Sequence, residues 1–243
     1  MEKQELEKNS ILKSIYKNMG ISDYYREDGG IGFGLLKESN SYNVVLLDEV
    51  YKKLLQARKE TDNSGIEHFF ALMGYFYKSG NDDYFVCTRG ILDDNSTNVN
   101  DGRCKASESF IERLNITVNE EKPNFIIMCH THPKYSQTSF DRNVYDEQLV
   151  VQSKLKLREL GMNISDGDIM GFINYKLTQD KCLNRFYFIS GISLPNGEFN
   201  IFDLNNLKDN PILVSIPNVF RIQEDELVPI PNIWNLEEAK KTY

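Results

Sequence analysis

This 243-residue chain contains three histidines, His68, His130 and His132. Two of them fall in Cys129-His130-Thr131-His132-Pro133, directly after the apolar run Phe125-Ile126-Ile127-Met128. That run predicts a strand over 124–129. On an extended chain, side chains two residues apart share a face, so both imidazoles can reach one point. Pro133 then stops the strand. Two neutral imidazoles converging at a strand end suit zinc. A surface turn holding two histidines would carry the same letters.

A catalytic zinc takes three protein ligands and leaves one position open. Ser165-Asp166-Gly167-Asp168 offers a carboxylate, Asp168, with a hydroxyl three residues before it. The same four residues also read as an ordinary helix start, with Ser165 as cap and Asp168 complementing the helix dipole. Glu67 opens the apolar segment Glu67-His68-Phe69-Phe70-Ala71-Leu72-Met73-Gly74. A carboxylate at such an edge is partly desolvated, which raises its proton affinity toward that of a general base. Bordering a core element would place it there equally well. His68, its neighbour, points the other way along an extended chain and reads as a packing or surface residue.

In this order the three pieces resemble the JAMM (MPN+) metalloprotease family. Its members carry a Glu at the start of an apolar stretch ending in Gly, then H-[ST]-H-P after a strand, then S-x-x-D. Here these are Glu67 with Gly74, His130-Thr131-His132-Pro133, and Ser165 with Asp168. The resemblance covers about residues 42–203. It implies an MPN/JAB-like domain in which His130, His132 and Asp168 hold Zn²⁺ with a water in the fourth position. Glu67 would be the general base, and the Ser165 hydroxyl would hydrogen-bond the developing oxyanion. The implied substrate is a peptide or isopeptide bond after the C-terminal tail of a ubiquitin-like protein, bound as an extended strand. The chain departs from the family pattern in one respect: residues 134–164 intervene between the H-P and the Ser165 motif, where most members have a short gap. Such an insertion could be a lid, a substrate-binding element or a partner surface. It leaves open a peptidase of a toxin or defence system with another substrate, and a non-catalytic MPN scaffold is the reading from a different class. A zinc nucleobase deaminase does not fit, because H-x-E and P-C-x-x-C are absent.

The elements that must position these residues follow from composition and pattern. Hydrophobic residues at 40%, with 14 Phe and 13 Tyr, are enough for a sizeable core and exclude a disordered chain. The net charge of −8 gives no general attraction to nucleic acid or anionic membranes. The longest apolar run, 69–77, falls far short of the ~20 residues a membrane span needs. Four scattered cysteines without a C-x-x-C pair and a highly charged N-terminus suggest free thiols in a cytoplasmic protein.

Strands are expected over 42–47, 83–88, 124–129, 185–193 and 198–203, the last two joined by Pro195-Asn196-Gly197. Helices are expected over 49–59, 107–114 and 142–160, with another beginning at 168. Segment 67–77 is apolar enough to be a buried strand or a buried helix, and periodicity does not separate the two. The Asn- and Asp-rich loop 93–102 approaches an EF-hand pattern but has Thr97 and Val99 where oxygen ligands belong, which excludes calcium there. Alternation of strands and helices indicates α/β with a mixed sheet, and the family resemblance adds a curved central sheet flanked by helices. The expected organisation is an N-terminal helical extension over 1–40, a metalloprotease-like domain over 41–205 and a loosely structured C-terminal extension over 206–243. An amphipathic helix over 1–19 or the 134–164 insertion could dock a protein partner.

Overall fold

The computed structural model describes residues 42–79, 82–95, 97–98, 104–132, 147–160, 164, 166–173, 187–193, 199–205, 213–223 and 226–230. The expected helix over 1–19, the glycine-rich stretch 28–34, the first part of the insertion and Ser165 lie outside the described residues.

Nine strands form one mixed sheet: β1 (Asn43–Leu46), β2 (Phe69–Ser79), β3 (Asp82–Leu92), β6 (Phe125–Thr131), β7 (Tyr187–Ser193), β8 (Phe199–Asn205), β9 (Leu213–Ser215), β10 (Asn218–Gln223) and β11 (Glu226–Ile230). Their order across the sheet is β11-β10-β1-β3-β2-β6-β7-β8-β9. A separate ribbon pairs β4 (Thr97–Asn98) with β5 (Cys104–Lys105). The described helices are α1 (Asp48–Ser64), α2 (Glu108–Glu121), α3 (Glu147–Glu159) and α4 (166–173). The molecule is therefore α/β, with parallel pairs β1–β10, β1–β3 and β6–β7 among antiparallel neighbours. No helix among the described residues is long and apolar enough to cross a membrane.

The 67–77 ambiguity resolves as a strand. β2 lies between β3 and β6, and both of its faces are covered. Phe70, Leu72 and Phe76 enter the core shared with Val50, Leu54 and Ala57 of α1. Ala71 and Met73 enter a second cluster with Phe110, Leu114 and Val118 of α2. With apolar partners on each side the strand has no polar face, so the period-2 signal vanishes from its sequence. Gly74 marks a bulge: Met73 pairs with Arg89 and Gly74 with Cys87, leaving Thr88 unmatched. The backbones approach so closely there that a Cβ on Gly74 would sit 1.8 Å from the Val86 carbonyl oxygen.

α1 begins with Asp48 and Glu49, which complement its N-terminal dipole, and buries Val50, Leu54, Ala57 and Thr61 at helical spacing. It runs past the expected end at 59 and stops at Gly65, whose φ of 70° and N–H bond to the Thr61 carbonyl (2.8 Å) form a left-handed cap. α2 also exceeds expectation, reaching Glu121. Ser107 caps it by accepting from the Phe110 N–H at 3.1 Å.

Two segments add to the expected organisation. Residues 213–230 lie within the segment expected to be a loose extension, yet they supply three strands, and β10 pairs in parallel with β1 from Asn43↔Asn218 to Leu46↔Arg221. Without them β1 would expose an edge ladder, which folded sheets cover. Within the insertion, α3 is a packed element. Its Val150 and Leu157 join Ile164, Ile169, Phe172 and Ile173 over Ile192, Phe202 and Leu204 of the sheet.

Candidate metal centre and adjoining glutamate

Strand alternation explains how β6 presents its histidines. Phe125, Ile127 and Cys129 face the α1 core, whereas Ile126 and Met128 face the α2 side. His130 follows Ile126 and Met128 in phase and is half-buried; Thr131 turns back and is fully buried. His132, just past the strand end, returns to the His130 face. The imidazole Nε2 atoms of His130 and His132 lie 2.9 Å apart. The i, i+2 convergence expected from the sequence is therefore present.

Asp168 comes from α4 and completes the group. Its Oδ1 lies 3.0 Å from His130 Nε2 and its Oδ2 3.4 Å from His132 Nε2. The three ligand atoms lie within 4.8 Å of one another, close enough to hold a metal ion. Metal–ligand bonds of about 2.0–2.1 Å place tetrahedral neighbours about 3.3 Å apart, which is near these separations. Two imidazoles and one carboxylate bring a single negative charge, a donor set that fits a divalent cation with nitrogen preference. Asp168 is held by its helix: Ile169, Phe172 and Ile173 are buried against β7, β8 and α3, and Lys154 of α3 ion-pairs with Asp166.

Glu67 sits in the three-residue connector between Gly65 and β2, not on the strand itself. The antiparallel register pairs Phe69 with His130, and the Thr131 N–H bond to the His68 carbonyl (3.1 Å) extends it by one residue. One residue before His68, the Glu67 carboxyl feels the charges of His130, His132 and Asp168. Burial raises the Glu67 carboxyl above its ordinary value, the charges of His130 and His132 lower it, and Asp168 raises it; the net direction is up. For His130, burial alone would lower proton affinity, but the hydrogen bond and charge of Asp168 and the charge of Glu67 outweigh it. Asp168 is held well below the ordinary carboxyl range: burial opposes, and bonds and charges from His130 and His132 prevail. The four groups form one electrostatic unit.

His68 faces the α1 side as expected. It is buried, with Nδ1 3.4 Å from the Asp93 carbonyl and 3.8 Å from Glu60 Oε2. Cys87 and Cys129 are free and buried, and burial pushes both thiols up, which leaves neither suited to nucleophilic work. The expected role of Ser165 falls outside the described residues.

Two supports were not foreseen. Thr131 Oγ1 accepts from the His68 N–H (2.9 Å) and contacts Thr61 Oγ1 of α1. The buried Arg58 guanidinium donates to the His132 carbonyl at 2.5 Å. Thr131 lies inside the H-[ST]-H motif, so a signal existed for it. Arg58 stands among Lys52, Lys53 and Lys59 in a charged helix, where nothing local distinguishes it.

No protein-family model matches the chain, and no curated protein sequence matches it.

Proposed function

We propose that this chain is a JAMM-type zinc hydrolase that cleaves a peptide or isopeptide bond, with the tail of a ubiquitin-like protein as its preferred substrate. The observation carrying this reading is the convergence of Asp168 on His130 and His132, from which it is remote in sequence, beside a half-buried Glu67. Each motif alone has an ordinary structural explanation; a shared focus is harder to explain without an ion.

His130 Nε2, His132 Nε2 and one Asp168 carboxylate oxygen would hold Zn²⁺. When bound, the ion supplies Lewis acidity that lowers the pKa of a water from about 16 to about 7. The Glu67 carboxylate takes a proton from the attacking water and passes it to the leaving nitrogen. Its burial favours that duty, since a group that binds a proton more readily than an exposed carboxylate is a stronger base. The Ser165 hydroxyl is assigned from the motif to the developing oxyanion. Retention of all three ligands and the base favours an enzyme over a silent scaffold.

The test is incubation of zinc-loaded protein with a panel of ubiquitin-like fusions and isopeptide conjugates, with Glu67→Gln as control. Cleavage by wild type, with zinc retained but turnover lost in Glu67→Gln, supports the proposal. Cleavage that survives in Glu67→Gln removes Glu67 as the base. A wild-type chain that binds zinc but cleaves no member of the panel, while cutting unrelated peptides, favours the toxin- or defence-type peptidase.

A further inference from the structure

His132 is the least supported of the three ligands by regular structure. It lies one residue past the end of β6, and Pro133 has no N–H with which to continue a ladder. Its own N–H bonds the Ser193 carbonyl at the end of β7 (2.9 Å). Its carbonyl is reached from the other face of the sheet. Arg58 Nη1 donates to it at 2.5 Å and also approaches the Ser193 carbonyl at 3.2 Å, while Nη2 is held by Asp62 Oδ1 at 2.8 Å. One guanidinium thus ties the first carbonyl after β6 to the last carbonyl of β7.

Arg58 is only 7% exposed and sits on the α1 face otherwise made of Val50, Leu54, Ala57 and Thr61. Burying a cation there is costly unless it is paired and hydrogen-bonded, and an apolar side chain would serve helix–sheet packing better. What the guanidinium adds over an apolar residue is a fixed backbone at His132. We propose that Arg58 is a positioning residue for the metal centre, clamping the main chain of His132 so that its imidazole stays aligned with His130 and Asp168. The inference rests on the metal-site reading above.

The experiment measures zinc affinity by chelator competition, the visible absorption spectrum of the Co²⁺-loaded protein, and thermal unfolding of the metal-free chain. The proteins are wild type, Arg58→Met, Arg58→Lys and Asp62→Asn. Arg58→Met is expected to lose about 10–100-fold in zinc affinity, as is usual when a partner of a metal ligand is removed, and to weaken the tetrahedral Co²⁺ spectrum. Arg58→Lys should recover part of both, because it restores one donor and the charge. A purely packing role would lower the metal-free unfolding temperature and leave affinity and spectrum at wild-type values; that result overturns the proposal. Should Arg58→Met fail to fold, Asp62→Asn, which loosens the guanidinium from its more exposed partner, decides: a several-fold loss of zinc affinity supports the clamp and an unchanged affinity overturns it. Wild type that takes up neither Zn²⁺ nor Co²⁺ refutes the metal-site reading itself, an outcome distinct from equal binding by wild type and variant.

Discussion

His68 and Thr131 exchange two hydrogen bonds: the His68 N–H donates to Thr131 Oγ1 at 2.9 Å, and the Thr131 N–H donates to the His68 carbonyl at 3.1 Å. One residue to the side of each lie the groups proposed for chemistry, Glu67 in the connector before β2 and His130 and His132 at the end of β6. The threonine between the histidines therefore joins the base to the ligands.

Thr131→Val keeps the shape and removes the acceptor. The buried His68 N–H then lacks its side-chain partner, at a cost of about 1–3 kcal/mol. Unfolding in urea should shift accordingly, zinc content should stay at the wild-type level, and kcat should fall because the Glu67 connector loosens. Thr131→Ser should restore both. Wild-type turnover in Thr131→Val would remove the link between this pair and Glu67.

The metal-free protein should show an unusual pH dependence. His130 binds its proton more tightly folded than unfolded, so its contribution is full below the ordinary imidazole pKa of about 6.5 and is lost as pH rises through the folded value. Asp168 is shifted down, so its contribution is full above the ordinary carboxyl pKa of about 3.9 and is lost as pH falls through the folded value. The difference in unfolding temperature between wild type and Asp168→Asn, measured with chelator, should be widest between about pH 4 and 6.5 and narrow toward pH 9. Zinc must displace the imidazole protons, so stabilisation by added zinc should instead grow with pH. A chelator-treated difference that grows with pH contradicts the coupling.

Leu157→Ala tests whether the insertion helix supports Asp168. Leu157 is fully buried in the cluster that includes Ile169 and Phe172. Truncation should cost about 2–5 kcal/mol and weaken zinc binding, because α4 loses its packing partner. Lys154→Ala removes only a half-exposed ion pair to Asp166 and should cost no more than about 1 kcal/mol. Equal effects of the two on zinc affinity would indicate that charge, not packing, holds α4.

Gly74→Ala should be among the most damaging single-methyl changes in the chain. The added carbon meets the Val86 carbonyl, a backbone atom that cannot swing aside. A loss of about 1–3 kcal/mol or more is expected from chemical denaturation, with full zinc content in whatever fraction folds. A stability equal to wild type would show that the bulge relaxes.

The parts of the site that proved legible were those whose chemistry is local. His130 and His132 follow an apolar run at the spacing of one strand face, and Pro133 marks where the strand ends. Other features depend on partners remote in sequence. β2 has no polar face because two helices cover it, so its letters do not separate strand from helix. β10 shows only partial burial along Asn218–Gln223, and its place beside β1 is a tertiary fact. α2 continues through Ile116, Thr117 and Val118, residues of modest helix propensity, because Leu114 and Val118 are buried beneath it. Arg58 acts on a carbonyl that is seventy-four positions away.

The most direct test of the central claim is the zinc content of extensively dialysed protein, compared between wild type and Asp168→Ala. The expected result is about one zinc per wild-type chain and a clear deficit in the variant. A wild-type chain that neither retains nor takes up zinc, or an Asp168→Ala chain that holds it as tightly as wild type, would contradict the account.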